Sequence, residues 1–84
     1  MTIGIGLGTS RLPFSVGKEY RSWVEQCEEG GVDSIWQTDT LVSAEPMLEC
    51  LTTMAVVAGA TKSIRFGMNV ASTALRDPLI LAKQ

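Results

Sequence analysis

The chain has 84 residues, 45% of them apolar and 19% charged, with seven basic against nine acidic side chains and no histidine, for a formal charge of −2. That composition belongs to a folded globular protein, and the length allows one domain or less, with a small core that buries only about 60 to 65% of its unfolded surface. The Lys and Arg residues are scattered singly, no apolar run reaches the ~18 residues of a membrane span, and no basic leader precedes a hydrophobic stretch. A cytoplasmic protein with no nucleic-acid and no membrane partner is therefore expected. Cys27 and Cys50 are far apart and no histidine completes a ligand set, so both read as buried thiols and no metal is expected.

Thr2 to Thr9 read TIGIGLGT, in which Ile3, Ile5 and Leu7 alternate with Thr2, Gly4, Gly6 and Gly8. This is the period of a strand whose second face is small because something packs closely against the glycines. After a loop from Ser10 to Ser15, containing Pro13, the residues Val16, Tyr20, Trp23, Val24 and Cys27 share one helical face, while Lys18, Glu19, Arg21, Glu25, Glu28 and Glu29 take the other. Ser15 reads as the N-cap and Gly30-Gly31 as the stop, the first glycine taking the left-handed conformation. Trp23, central in the stripe, reads as core, and so does Trp36.

Asp33 to Asp39, DSIWQTD, forms a second short strand. The loop through Leu41 and Ser43 leads to Glu45-Pro46, where proline is expected to open a second helix running through Met47 to Ala60. Nearly every side chain there is apolar or small, so this helix should be covered on more than one side. Lys62 and Ser63 turn the chain into a third strand, Ile64 to Ala71. Ser72 to Arg76 then loop to Asp77-Pro78, the N-cap and first-turn proline of a third helix that starts with Leu79 to Gln84.

Strands starting near residues 2, 33 and 64 recur every 31 residues, which fits repeating strand-helix units. The predicted fold is α/β, in the order β-α-β-α-β-α with three parallel strands. An eightfold barrel of about 250 residues has about 31 per unit, so residues 1–84 read as the first part of a TIM (β/α)8 barrel, cut within the third helix. Three strands cannot close. Their two unpaired edges, with an inner face of Ile, Phe, Met and Val side chains open to water, predict a homo-oligomer.

The glycines Gly4, Gly6 and Gly8 lie inside the strand, Thr9 stands where a dinucleotide fingerprint needs its third glycine, and six loop residues precede the helix, so no pyrophosphate site is expected. The glycines are instead expected to clear space beside a packed strand or for a ligand at its end. Asp39 and Thr40 close the second strand and Asn69 to Thr73 the third. Both clusters fall on the C-terminal rim of a parallel sheet, where ligands bind. Arg76, followed by Asp77, is suited either to a phosphate or carboxylate or to a surface ion pair with that aspartate.

Together these pieces resemble the N-terminal part of the luciferase-like flavin-dependent oxidoreductases, the family of bacterial luciferase, alkane-sulfonate monooxygenase and the deazaflavin-dependent reductases. The carriers are IGIGLGT, the segment GGVDSIWQTDTLVSAEPMLECLTTMAVVAGAT and the block IRFGMNVASTALRDPLILAKQ, which together cover the whole chain. The resemblance implies a barrel holding FMN or a deazaflavin at its C-terminal mouth, where the reduced flavin reacts with oxygen or passes a hydride to a small organic substrate. Asp39 matches the family's aspartate at the end of the second strand and, with Thr40, is the catalytic candidate. Many members have histidine where Thr40 stands, and a threonine can donate or accept a hydrogen bond but cannot serve as a base near neutral pH. Asn69, Val70, Ala71 and Ser72 match the bulge behind the isoalloxazine ring and, with Gly8, are the flavin-contact candidates. The family also implies a non-proline cis bond or a bulge at Asn69-Val70. By itself the 84-residue chain is expected to be inactive; the competing reading is an inactive β-α module that self-associates.

Overall fold

The computed structural model describes residues 3–9, 17–40, 42–44 and 47–84. The elements run β1 (Gly6–Thr9), α1 (Gly17–Glu29), β2 (Ser34–Gln37), α2 (Cys50–Ala60), β3 (Arg65–Met68), a 3-10 turn (Thr73–Leu75) and α3 (Pro78–Lys83). The strands form one sheet in the order β1-β2-β3 with both pairs parallel. This is the α/β arrangement the strand-helix repeat predicts. Each strand is shorter than its sequence pattern. Gly6 lies opposite Ser34 and Ser34 opposite Arg65, offsets of 28 and 31 residues, so only the second pair keeps the sequence period.

The ends of the helices show where local chemistry decided the boundaries. At the end of α1 the Val32 amide donates to the Cys27 carbonyl and the Gly31 amide to that of Glu28, and Gly31 takes φ +81°. This is a Schellman closure, and it needs the left-handed residue one position later than Gly30, at the second glycine. Helix α2 begins at Cys50 rather than at the proline expected to open it, because Glu49 is extended and its carboxylate accepts from the Leu51 and Thr52 amides. Glu45, Pro46, Ser15 and Val16 lie outside the described residues. Asp77 caps α3 as expected, accepting from the Leu79 and Ile80 amides ahead of Pro78.

One face of the sheet carries α1 and α2. Tyr20, Val24 and Cys27 of α1, Met54 and Val57 of α2, Ile35 of β2 and Ile64 form the core, and Trp23 is half-buried against it. Both cysteines are buried free thiols. Helix α2 buries Cys50, Thr53, Met54 and Val57 and leaves Ala55, Val56 and Ala58 exposed, so it is covered on one side and not on several.

The opposite face corrects two expectations. By strand alternation it presents Gly6, Gly8, Ser34, Trp36, Arg65 and Gly67, and not a row of Ile, Phe, Met and Val. Trp36 is on it and 43% exposed, hence outside the core. Its indole lies across the sheet. A Cβ at Gly6 would meet Trp36 Nε1 at 2.8 Å, and one at Gly67 would meet Cζ3 at 3.0 Å. The glycine pattern therefore clears room for this side chain, and the apolar strand residues turn toward the helices instead.

Candidate functional site

The C-terminal ends of β2 and β3 meet at one hydrogen-bonded cluster. Register brings them level: Gln37 pairs with Met68, and the Asn69 amide donates to the Gln37 carbonyl. Two residues further along, Asp39 Oδ2 accepts from the Ser72 amide at 2.6 Å and from Arg76 Nη1 at 2.6 Å, while Oδ1 accepts from Arg76 Nη2 at 3.0 Å. Arg76 Nη1 also donates to the Ser72 carbonyl at 3.0 Å, and Nη2 to Glu49 Oε1 at 3.2 Å. The two main partners are largely withdrawn from water, with side-chain exposures of 16% for Arg76 and 8% for Asp39.

Charge follows this geometry. The Arg76 guanidinium, and then the Ser72 amide, hold the Asp39 carboxyl below its ordinary range, so it is ionised near neutral pH. The Thr52 amide and hydroxyl, together with Arg76, lower Glu49 to about 2. Arg76 is raised by the same two carboxylates. Cys50, beside them at the start of α2, is raised by burial and then by the Asp39 charge, which makes it a poor thiolate.

The structure brings five of the candidate site residues together with Asp39. Thr40 follows it and is exposed; Asn69 and Val70 are exposed and joined by a cis peptide bond, and Ala71 and Ser72 are half-buried. Gly8 stands apart, on the inner face of β1 opposite Trp36. Arg76 is neither an open anion site nor a surface ion pair with its neighbour Asp77, since both terminal nitrogens are taken up by Asp39, Glu49 and Ser72. Sequence reasoning missed Glu49 and the Asp39–Arg76 partnership. A 31-residue offset between β2 and β3 sets Asp39 level with residue 70, and that was the available signal.

Among the described residues no three His, Cys, Asp or Glu side chains are grouped to hold a metal ion, and no helix is long and apolar enough to cross a membrane. A family model described as luciferase-like monooxygenase matches residues 3–84. The chain belongs to that family, and its three parallel strands are the arrangement with which the family's barrel begins. No curated protein and no solved structure matches it significantly.

Proposed function

We propose that this chain is the flavin-facing opening of a luciferase-like flavin-dependent oxidoreductase or monooxygenase that uses FMN or a deazaflavin and a small organic substrate. The observation that carries the reading is the rim cluster: Asp39 binds the Ser72 amide and so fixes the turn after β3 beside the end of β2. A planar ring needs a flat apolar support with a few amide groups at its edge. Val70, 72% exposed, and the neighbouring exposed carboxamide of Asn69 offer that combination. A flavin phosphate finds no cation here, because Arg76 is already engaged, so the residues present fit the ring and not the phosphate.

Bound in reduced form, the flavin would supply the hydride or electrons, and this chain's residues would orient it. Asn69 to Ser72 form the support, Gly8 leaves the inner face open for close approach, and the exposed Thr40 offers a hydroxyl to the substrate. Asp39 stays ionised and holds the rim.

The test is titration of the chain with FMN and, separately, with a deazaflavin, followed by quenching of flavin fluorescence. Saturable binding at about tens of micromolar is expected, since only ring-side contacts are offered. No saturation by either flavin up to millimolar concentration overturns the proposal and leaves the self-associating inactive module as the reading that stands.

A further inference from the structure

We propose that Arg76 is a positioning residue for the flavin site, acting through Asp39 and Ser72 to set the Asn69–Ser72 turn. The inference rests on the flavin reading above and names the group that shapes its contact surface. Ser72 is gripped at both ends of its backbone: its amide donates to Asp39 Oδ2 and its carbonyl accepts from Arg76 Nη1, while the same nitrogen also donates to Asp39 Oδ2. Asp39 and Arg76 thus close a small ring of hydrogen bonds with Ser72 inside it. The fourth member, Glu49, ties that ring to α2, because one carboxylate caps the helix at Leu51 and Thr52 and also accepts from Arg76 Nη2. The turn after β3 is in this way referenced to the end of β2 and the start of α2, on which its own short sequence has no hold.

The arrangement depends on a fork. A guanidinium spans both carboxylate oxygens with two parallel donors, whereas a lysine ammonium is a point charge that cannot reach Asp39 Oδ1, Asp39 Oδ2 and the Ser72 carbonyl in the same geometry. If Arg76 served only as a charge for the fold, lysine would replace it.

The experiment compares the full chain with Arg76→Lys and Arg76→Gln, and with Arg21→Gln on the exposed face of α1 as control. Three quantities are read: the exchange rate of the Ser72 amide by NMR, the thermal midpoint, and the FMN dissociation constant. Arg76→Lys is expected to keep the thermal midpoint and the exchange rates of the β2 and β3 amides, while Ser72 exchanges about tenfold faster and FMN binds about tenfold more weakly. Arg76→Gln should do the same or more, and Arg21→Gln should change none of the three. Ser72 exchange within twofold of the parent in folded Arg76→Lys overturns the role of Arg76, whatever happens to flavin. Failure of the parent chain to bind FMN overturns the flavin reading instead; faster Ser72 exchange in Arg76→Lys then still assigns the turn's geometry to Arg76. If Arg76→Gln does not fold, Arg76→Lys carries the test.

Discussion

Trp36 on β2 and Gly6 on β1 are complementary: the pyrrole edge of the indole occupies the space that a side chain at position 6 would need, and Trp36 Nε1 donates to Ser34 Oγ at 2.9 Å in the same place. An alanine at Gly6 would set its Cβ 2.5 Å from Ser34 Oγ and 2.8 Å from Trp36 Nε1, so the hydroxyl and the indole must both move. Gly6→Ala is expected to cost about 1–2 kcal/mol, the low end for overpacking because the indole's outer side is open. In a Trp36→Ala background most of that cost should vanish, since the Ser34 hydroxyl is then free to rotate. Urea denaturation of the four variants of this double-mutant cycle measures the coupling, and equal costs of Gly6→Ala in both backgrounds would remove the indole from the explanation.

The neighbours Ile35 and Trp36 point to opposite faces of one strand, and their truncations should differ accordingly. Ile35 is fully buried between the sheet and both helices. Ile35→Ala is expected to cost about 2–5 kcal/mol, a large part of a small domain's stability. Trp36→Ala removes more atoms but from a half-open surface, and should cost less than Ile35→Ala. Thermal unfolding followed by circular dichroism ranks the two; the reverse order would mean that the glycine-lined face is the better packed one.

That contrast marks what the sequence could and could not convey. The faces of α1 and the Asp77-Pro78 start of α3 were legible because periodicity and caps act within a few residues. Trp36 was misread because its surroundings are set by Gly6 and Gly67, thirty or so residues away on either side, and size alone suggested burial. Glu49 was invisible as a cap because its long side chain is unusual there and proline at position 46 offered a stronger local signal. At the candidate site, the two ends of the rim were found from strand order alone. Arg76, however, was weighed against its neighbour Asp77, when the parallel register hands it to Asp39.

Glu28 makes stability depend on acid. Its Oε1 accepts from the Lys62, Ser63 and Ile64 amides and the Ser63 hydroxyl, which ties the end of α1 to the turn before β3. The Ser63 and Lys62 amides lead in lowering it from an ordinary 4.5 to about 2. A carboxyl held lower in the folded than in the unfolded chain contributes stability that is full above pH 4.5 and is lost as pH falls toward 2. Glu28→Gln should therefore be less stable than the parent at pH 7, and the gap should close across that window. Urea midpoints at intervals from pH 7 to pH 2 follow it. A gap independent of pH would show that the bonds act through shape and not through charge.

Self-association is the remaining expectation, and its basis shifts from the inner face to the sheet's edges and the surface of α3. Among the described residues β1 and β3 each pair on one side only, and an open strand edge is a template for another strand. Beside the β1 edge, Ile3 and Ile5 are 83% and 65% exposed, and on α3 Leu79 and Ile80 are 81% and 60% exposed. Apolar side chains this exposed gain from association, each Å2 removed from water contributing about 25 cal/mol. A closed barrel pairs such edges with further strands; for residues 1–84 taken by themselves, a second copy related by a two-fold axis would do the same. Sedimentation equilibrium at micromolar concentration is expected to give a dimer or a higher closed species. Ile5→Lys, which sets a charge beside the β1 edge, should shift that equilibrium toward monomer by about tenfold or more while leaving α1 and α2 folded, because Ile5 is not part of their core. A folded 9.0 kDa particle throughout the micromolar range in the parent chain would refute the expectation, and an unchanged oligomer in Ile5→Lys would move the contact from β1 to α3.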